Sequence, residues 1–183
     1  MTDDLDIITQ IWTGRLHWDG GYVGPYRITA NSLMSLADEL TDEILDGYFH
    51  ILSRNRNIYH INSILMTSIF YDKPELHEYL TQIVLSDYDF IFGAINEGEN
   101  HWTLTIIDPK QKKILYFNPL GETRLCANQL LHNWYCFLKG RQNLGYEEPE
   151  FWTIKTMLHS KQQDGISCGV YVLKIAECFI NEE

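Results

Sequence analysis

Gln162-Gln163-Asp164-Gly165-Ile166-Ser167-Cys168-Gly169 is a polar, glycine-bracketed loop that runs straight into the apolar stretch Val170-Tyr171-Val172-Leu173-Lys174-Ile175-Ala176. Cys168, Tyr171, Val172, Ile175, Ala176 and Phe179 recur at helical spacing, which predicts a buried helix opening at Cys168. Taken alone, a cysteine on an apolar helix is most often a small core residue. At a helix N-terminus, however, free N–H groups and partial positive charge favour an anion and raise the thiolate fraction near neutral pH. Gly169 keeps bulk away from the sulfur, and Gln162, six residues upstream, can aim a neutral amide donor at an oxyanion, with Gln163 a second candidate.

A second stretch gives the cysteine company. From Asn100-His101-Trp102 to Phe117-Asn118-Pro119-Leu120-Gly121, two β-rich runs flank the polar turn Pro109 to Lys112, the pattern of a hairpin. If that four-residue loop closes it, Asp108 faces Lys113, Thr103 faces Asn118 and His101 faces Leu120. Alternation then places His101 and Asn118 on one sheet face as diagonal neighbours, and Asp108 on the other face at the far end. A one-residue slip would reverse this assignment. Cysteine, histidine, asparagine and a nearby glutamine form a nucleophilic set. Histidine takes the thiol proton and returns it to a leaving amine, asparagine fixes the ring tautomer, and Gln162 with the Cys168 N–H holds the oxyanion.

These same residues carry a resemblance. His101-Trp102, then Tyr116-Phe117-Asn118-Pro119-Leu120, then Gln162 to Cys168-Gly169, resemble the ubiquitin-like protease family, the sentrin-specific (SUMO) proteases and their clan CE relatives, in residue order and in spacing. Leu40-Thr41-Asp42-Glu43-Ile44 resembles the family's Trp-Leu-Asn-Asp segment, so the likeness covers roughly residues 39 to 180. It implies an α+β, papain-like cysteine protease fold: a central mixed sheet, with the nucleophile at the N-terminus of a buried C-terminal helix. It also implies cleavage after the C-terminal Gly-Gly of ubiquitin or a relative such as SUMO, with Trp102 touching the substrate tail. The chain departs from the pattern twice. Asn118 stands where the family usually has aspartate, a change that papain-type enzymes tolerate, so Asn118→Asp is expected to retain activity. Glu39 stands where the cellular SUMO proteases carry a tryptophan over the Gly-Gly tail, which places Glu39 beside the substrate and leaves the modifier open.

Composition bounds the rest. A chain of 183 residues, 45% hydrophobic and 13% aromatic, can bury a full core and is expected to form one catalytic domain over 1–183. Within it, residues 1–36 read as an N-terminal extension or substrate-binding segment. Apolar runs are too short to span a bilayer and Met1-Thr2-Asp3-Asp4 lacks a signal peptide's features, so an intracellular protein of cytoplasm or nucleus is expected, or of a host cytosol for a secreted effector. The four cysteines are sparse and form no Cys-x-x-Cys pair, consistent with reduced thiols. His132 and Cys136 are half a metal site with no matching second half, and the proposed chemistry needs no cofactor. Net charge is -11, and the first 53 residues hold nine Asp or Glu against two Arg. Such a front repels phosphate backbones, which disfavours nucleic acid; it suits a basic protein partner or a solvated surface equally well. No membrane association and a monomer are expected.

Local patterns fill in the elements. Trp12, Trp18, Tyr22 and Tyr26 among glycines suggest turns or a short hairpin rather than a helix, with the rings packed on the core. Thr41 is placed to cap a helix with acidic first turn and apolar face Ile44, Leu45, Tyr48, Phe49 and Leu52, ended by Arg54-Asn55-Arg56-Asn57. Ile58 to Phe70 reads as strand or helix, Pro74 opens a helix through Val84, and Tyr88 to Ile95 is a buried strand. Leu125 to Leu138 mark a helix ending near Gly140, and Phe151 to Met157 alternate as a strand. Alternative readings are a viral, mobile-element or bacterial-effector processing protease of the same clan, a more distant acetylating relative, or a pseudoenzyme that binds a modifier without cutting it.

Overall fold

The computed structural model describes residues 2–72, 80–146 and 151–182. Its frame is a five-stranded mixed sheet in the order β3-β4-β5-β6-β7, formed by Ile58–His60, Phe90–Glu97, His101–Asp108, Lys113–Phe117 and Thr153–Lys155. The middle three strands are antiparallel neighbours and the two edge strands join parallel. Asp108 pairs with Lys113 and Leu104 with Phe117, so the hairpin adopts the register expected from its loop. The turn is tied by the Gln111 N–H donating to Asp108 Oδ1 at 2.8 Å, which gives Asp108 a structural partner far from His101.

Both faces of the sheet are covered. Phe92, Ala94, Trp102, Leu104, Ile106, Leu115 and Phe117 share one face, buried under α3 (Asp42–Ser53) and α6 (Cys168–Glu182). Their neighbours Ile91, Ile95, Ile107, Ile114 and Tyr116 face the other way, against α4 (Ser63–Thr67), a π-helical turn Ser68–Asp72 and α5 (Arg124–Asn143). The two-residue period is what burial on both sides requires of central strands. Close approach of α4 to β4 depends on Gly93, where a Cβ would lie 2.1 Å from Met66 Cγ and 2.8 Å from the Ile61 carbonyl oxygen.

Polar anchors at the sheet's edge were not legible in the sequence. Asp46 on α3 is buried and accepts from His60 Nε2 at 3.1 Å, from the Ser63 N–H at 2.9 Å and from Ser63 Oγ at 2.9 Å. One carboxylate thus joins α3, β3 and the start of α4. Tyr26 extends the network, its hydroxyl 3.2 Å from His60 Nδ1, and burial followed by the charge of Asp46 pushes the phenol up to about 12. Asp46 is therefore no part of a solvated acidic surface.

The N-terminal segment differs from expectation. Residues Thr2–Trp12 form a helix, α1, because the aromatic and glycine cluster that suggested turns begins only at its end. A hairpin of β1 (Gly21–Val23) and β2 (Tyr26–Ile28) follows, as expected, and then α2 (Ala30–Met34), capped by Thr29. Trp12 and Tyr22 are 41% and 74% exposed, so these two rings do not join the core. Trp12 instead donates its indole N–H to the Leu33 carbonyl at 2.7 Å.

Elsewhere α3 starts at Thr41 without a side-chain capping bond; the Thr41 carbonyl accepts from Leu45. Ile58 to Phe70 resolves into β3, α4 and the start of the π turn, a division that its continuous apolar character concealed. The helix expected from Pro74 falls largely outside the described residues, and Leu80 to Val84 form a turn and extended chain. Arg141, fully buried on α5, holds that turn through the Leu80 and Ile83 carbonyls, each at 2.7 Å. α5 runs to Asn143, three residues past the expected end, and β7 is shorter than its alternating pattern.

Candidate active site

The first turn of α6, the beginning of β5 and the end of β6 converge at one end of the sheet. α6 opens at Cys168, as its apolar spacing predicts, and the preceding loop is organised by Asp164, a residue that sequence reasoning passed over. Asp164 Oδ1 accepts the N–H groups of Ile166 at 2.9 Å and Ser167 at 2.8 Å, while Oδ2 accepts from Ser167 Oγ at 2.7 Å. These bonds turn the chain into the helix and hold the Asp164 carboxyl below its usual range. Asp164-Gly165 in a polar loop is a turn signal, since an aspartate there accepts the N–H groups two and three residues on, and it was available to be read.

Cys168 is only 1% exposed and lies at the floor of an open cleft of about 850 Å³. Burial pushes its thiol up. The hydrogen bond with His101, the Trp102 N–H, the imidazole charge and the Gly169 N–H together outweigh that effect, and the thiol ionises below its ordinary value. His101 moves the opposite way: its bond to Cys168 raises it, burial opposes, and Asn118 with the charges of Cys168 and Glu97 carry it above an ordinary imidazole. The pair is thus biased toward thiolate and imidazolium.

Asn118 Oδ1 lies 2.9 Å from His101 Nε2 and also accepts the Leu120 N–H at 2.8 Å. That second donor fixes which end of the amide faces the ring, so Nε2 carries the proton and Nδ1 is left for the thiol. Asn118 is held in turn by Glu122, whose Oε1 accepts the Asn118 N–H at 3.0 Å and pairs with His159. His101, Asn118 and Cys168, separated by up to 67 positions in the chain, are thereby brought together.

The remaining candidates occupy less direct positions. Gln162 is buried, its N–H donating to the Pro119 carbonyl at 3.0 Å and its Nε2 to the Asp164 carbonyl at 2.8 Å, so the amide is anchored between the two loops that flank the thiol. Gln163 is exposed and donates to its neighbour Lys161, 3.4 Å away. Trp102 is buried beneath the cleft, its indole N–H donating to the Leu40 carbonyl at 2.8 Å, so it supports the cleft wall as well as lining it. Glu39 is exposed on the rim beside Asp42 and Glu99. Neither Trp12 nor Trp18 is among the residues lining this cleft. Gly169 has a reason that the sequence did not suggest. A Cβ there would sit 2.9 Å from Leu40 Cβ, so the glycine admits Leu40 against α6 rather than clearing space at the sulfur.

All four cysteines are free. On α5, His132 Nε2 lies 3.7 Å from Cys136 Sγ, and no cluster of three potential metal ligands occurs among the described residues. No helix among them is long and apolar enough to cross a membrane.

Known proteins resemble this chain in sequence and in fold. The ubiquitin-like-specific protease ESD4 of Arabidopsis thaliana is 25% identical over 159 residues, which cover 76% of this chain and 32% of that protein, so the chain spans about a third of this relative. Among solved structures, the C-terminal Ulp1 protease domain in complex with Smt3, the yeast ortholog of SUMO, superposes with a TM-score of 0.78 at 19% identity, over 98% of this chain and 84% of the other. The Xanthomonas campestris effector XopD bound to ubiquitin gives a TM-score of 0.54 at 19% identity, over 79% and 78% of the two chains. At such identities these structures show a shared fold, and it is the α+β fold expected from the sequence. Residues 38–183 match the model of the Ulp1 protease family, C-terminal catalytic domain, and the chain belongs to that family.

Proposed function

We infer that this chain is a thiol protease that cleaves after the C-terminal residue of a ubiquitin-like modifier, from a lysine side chain or from a precursor. The observation that carries the reading is the His101 ring held between the Asn118 oxygen and the Cys168 thiol at the head of α6. In the reaction the Cys168 thiolate attacks the modifier's terminal carbonyl carbon, forming a C–S bond. The resulting oxyanion is met by the Cys168 N–H and by the Gln162 Nε2 hydrogen not engaged with Asp164. His101 gives its proton to the leaving amine as the C–N bond breaks. Water, deprotonated by His101, then attacks the thioester, releasing the modifier carboxylate and restoring the thiol.

The cleft indicates the kind of tail it takes. With Glu39, Asp42 and Glu99 on its lining and no indole lid, it favours a tail carrying basic residues, and charge complementarity rather than stacking aligns it. Ubiquitin and SUMO-type modifiers, the bound partners of XopD and Ulp1 in those structures, are the two classes to compare. We read residues 1–183 as one catalytic domain with residues 1–36 as its N-terminal extension; the family match begins at residue 38, and Tyr26 of the extension joins the network of His60 and Asp46. An intracellular, reducing location suits four unpaired thiols.

The test is a panel of modifiers bearing a C-terminal electrophile. Covalent labelling is expected at Cys168, lost in Cys168→Ala and retained when Cys126, Cys136 and Cys178 are each changed to Ser. Binding without adduct formation, or labelling that survives Cys168→Ala, refutes the assignment.

A further inference from the structure

A chain of hydrogen bonds leads from His101, away from the thiol, to a carboxylate that the sequence did not single out. Strand register puts its members on one face, since Glu97 pairs with His101 across β4 and β5, and Tyr116 pairs with Thr105 across β5 and β6. Because Asn118 Oδ1 is taken by the imidazole and the Leu120 N–H, its amide nitrogen faces the other way and donates to the Tyr116 hydroxyl at 3.2 Å. That hydroxyl lies 2.7 Å from Glu97 Oε1, which also accepts from Thr103 Oγ1 at 3.0 Å.

The direction of every proton follows. A phenol has one hydrogen and an ionised carboxylate only accepts. Tyr116 therefore donates to Glu97 and can only accept from residue 118. That residue must accept from His101 and donate to Tyr116; an amide does both, whereas a carboxylate does only the first. We propose that Glu97 is a positioning residue for His101, supplying through Tyr116 and Asn118 the negative charge that backs the imidazolium, and that the hydroxyl of Tyr116 is what requires an amide at position 118.

The proposal rests on reading His101 as the general base. Burial, then the bond to Glu97 and its charge, hold the Tyr116 proton well above the usual phenol range, so the link stays protonated throughout the working pH range. The ionisable groups near the ring are Cys168 from α6, Glu97 from β4 and Tyr116 from β6, with Glu122 behind the Asn118 N–H. It also reverses the expectation drawn from sequence that Asn118→Asp is tolerated. With Glu97 in place, that change sets two carboxylates against one phenolic proton in a site where Tyr116 is fully buried.

Glu97→Gln, Asn118→Asp and the double variant test this by three readouts. NMR titration of the His101 ring and the pH dependence of Cys168 alkylation by iodoacetamide, read by mass spectrometry, need no modifier. Turnover of a fluorogenic modifier is the third. Glu97→Gln should lower the His101 midpoint by on the order of half a pH unit, the scale of one screened charge at this remove, and move the alkaline limb of kcat/KM down with it while KM holds. Asn118→Asp should cost about tenfold or more in kcat. The double variant should recover most of that loss, because the new amide at position 97 donates to Tyr116 and frees its proton for the new carboxylate. Should Asn118→Asp fold poorly, Tyr116→Phe added to it should relieve the conflict and restore folding. A fully active Asn118→Asp, an unmoved His101 midpoint in Glu97→Gln, or a double variant no better than the worse single change overturns the proposal. The expected shift of the His101 midpoint in Glu97→Gln, with no turnover of any modifier by the unaltered protein, would instead overturn the protease reading and leave the relay standing.

Discussion

Gly169→Ala isolates the part played by packing in placing the nucleophile. The added methyl would meet Leu40 Cβ at 2.9 Å, Cγ at 3.1 Å and Cδ1 at 3.2 Å. Leu40 cannot simply retreat, because it is 5% exposed and its carbonyl holds the Trp102 indole at 2.8 Å. Carbon atoms settle at about 3.5 Å or more, so α6 and the 40–41 segment must part by roughly 0.6 Å. Overpacking costs about 1–3 kcal/mol, and alanine's better helix propensity returns up to about 1 kcal/mol. The net is about 1 kcal/mol, which shifts Tm by about 2–4 °C at this chain length. Activity should suffer more. Since a misplacement of ~1 Å costs about a hundredfold, a shift of half to two thirds of that in Cys168 predicts a loss of about ten- to twentyfold in kcat/KM. Differential scanning calorimetry and steady-state kinetics on a labelled modifier measure both. Leu40→Ala added to Gly169→Ala should rescue little, because the Cβ contact remains. Full kcat/KM in Gly169→Ala with an unchanged or higher Tm would falsify the argument.

Two further outcomes follow from the same structure. Asp46→Ala leaves His60 and both Ser63 donors without their acceptor in a buried site, and should destabilise by about 3 kcal/mol, or roughly 6–12 °C in Tm by thermal melt, with kcat little changed in the folded fraction. Glu39→Lys, on the exposed cleft rim, should raise KM for a basic-tailed modifier severalfold and flatten its salt dependence without altering kcat, and an unchanged KM would remove Glu39 from the tail path.

The sequence by itself determined the elements whose cause is local. Helical spacing from Cys168 to Phe179 gave α6 and its buried face, and the four-residue turn at Pro109 to Lys112 set the β5–β6 register, from which the His101–Asn118 contact followed by alternation alone. Thr41 to Leu52 likewise carried α3 in its periodicity. Tertiary structure decided what depends on partners distant in the chain. Asp46 looked like one more acid in a negative front until α3, β3 and α4 closed around it. Gly169 looked like clearance for a sulfur until Leu40 arrived from the far end of the chain. Asn118 looked like a substitute for aspartate. Its need for an amide appears only when the fold sets the one proton of Tyr116 against Glu97, because hydrogen-bond polarity is a property of the assembled network and of no single residue in it.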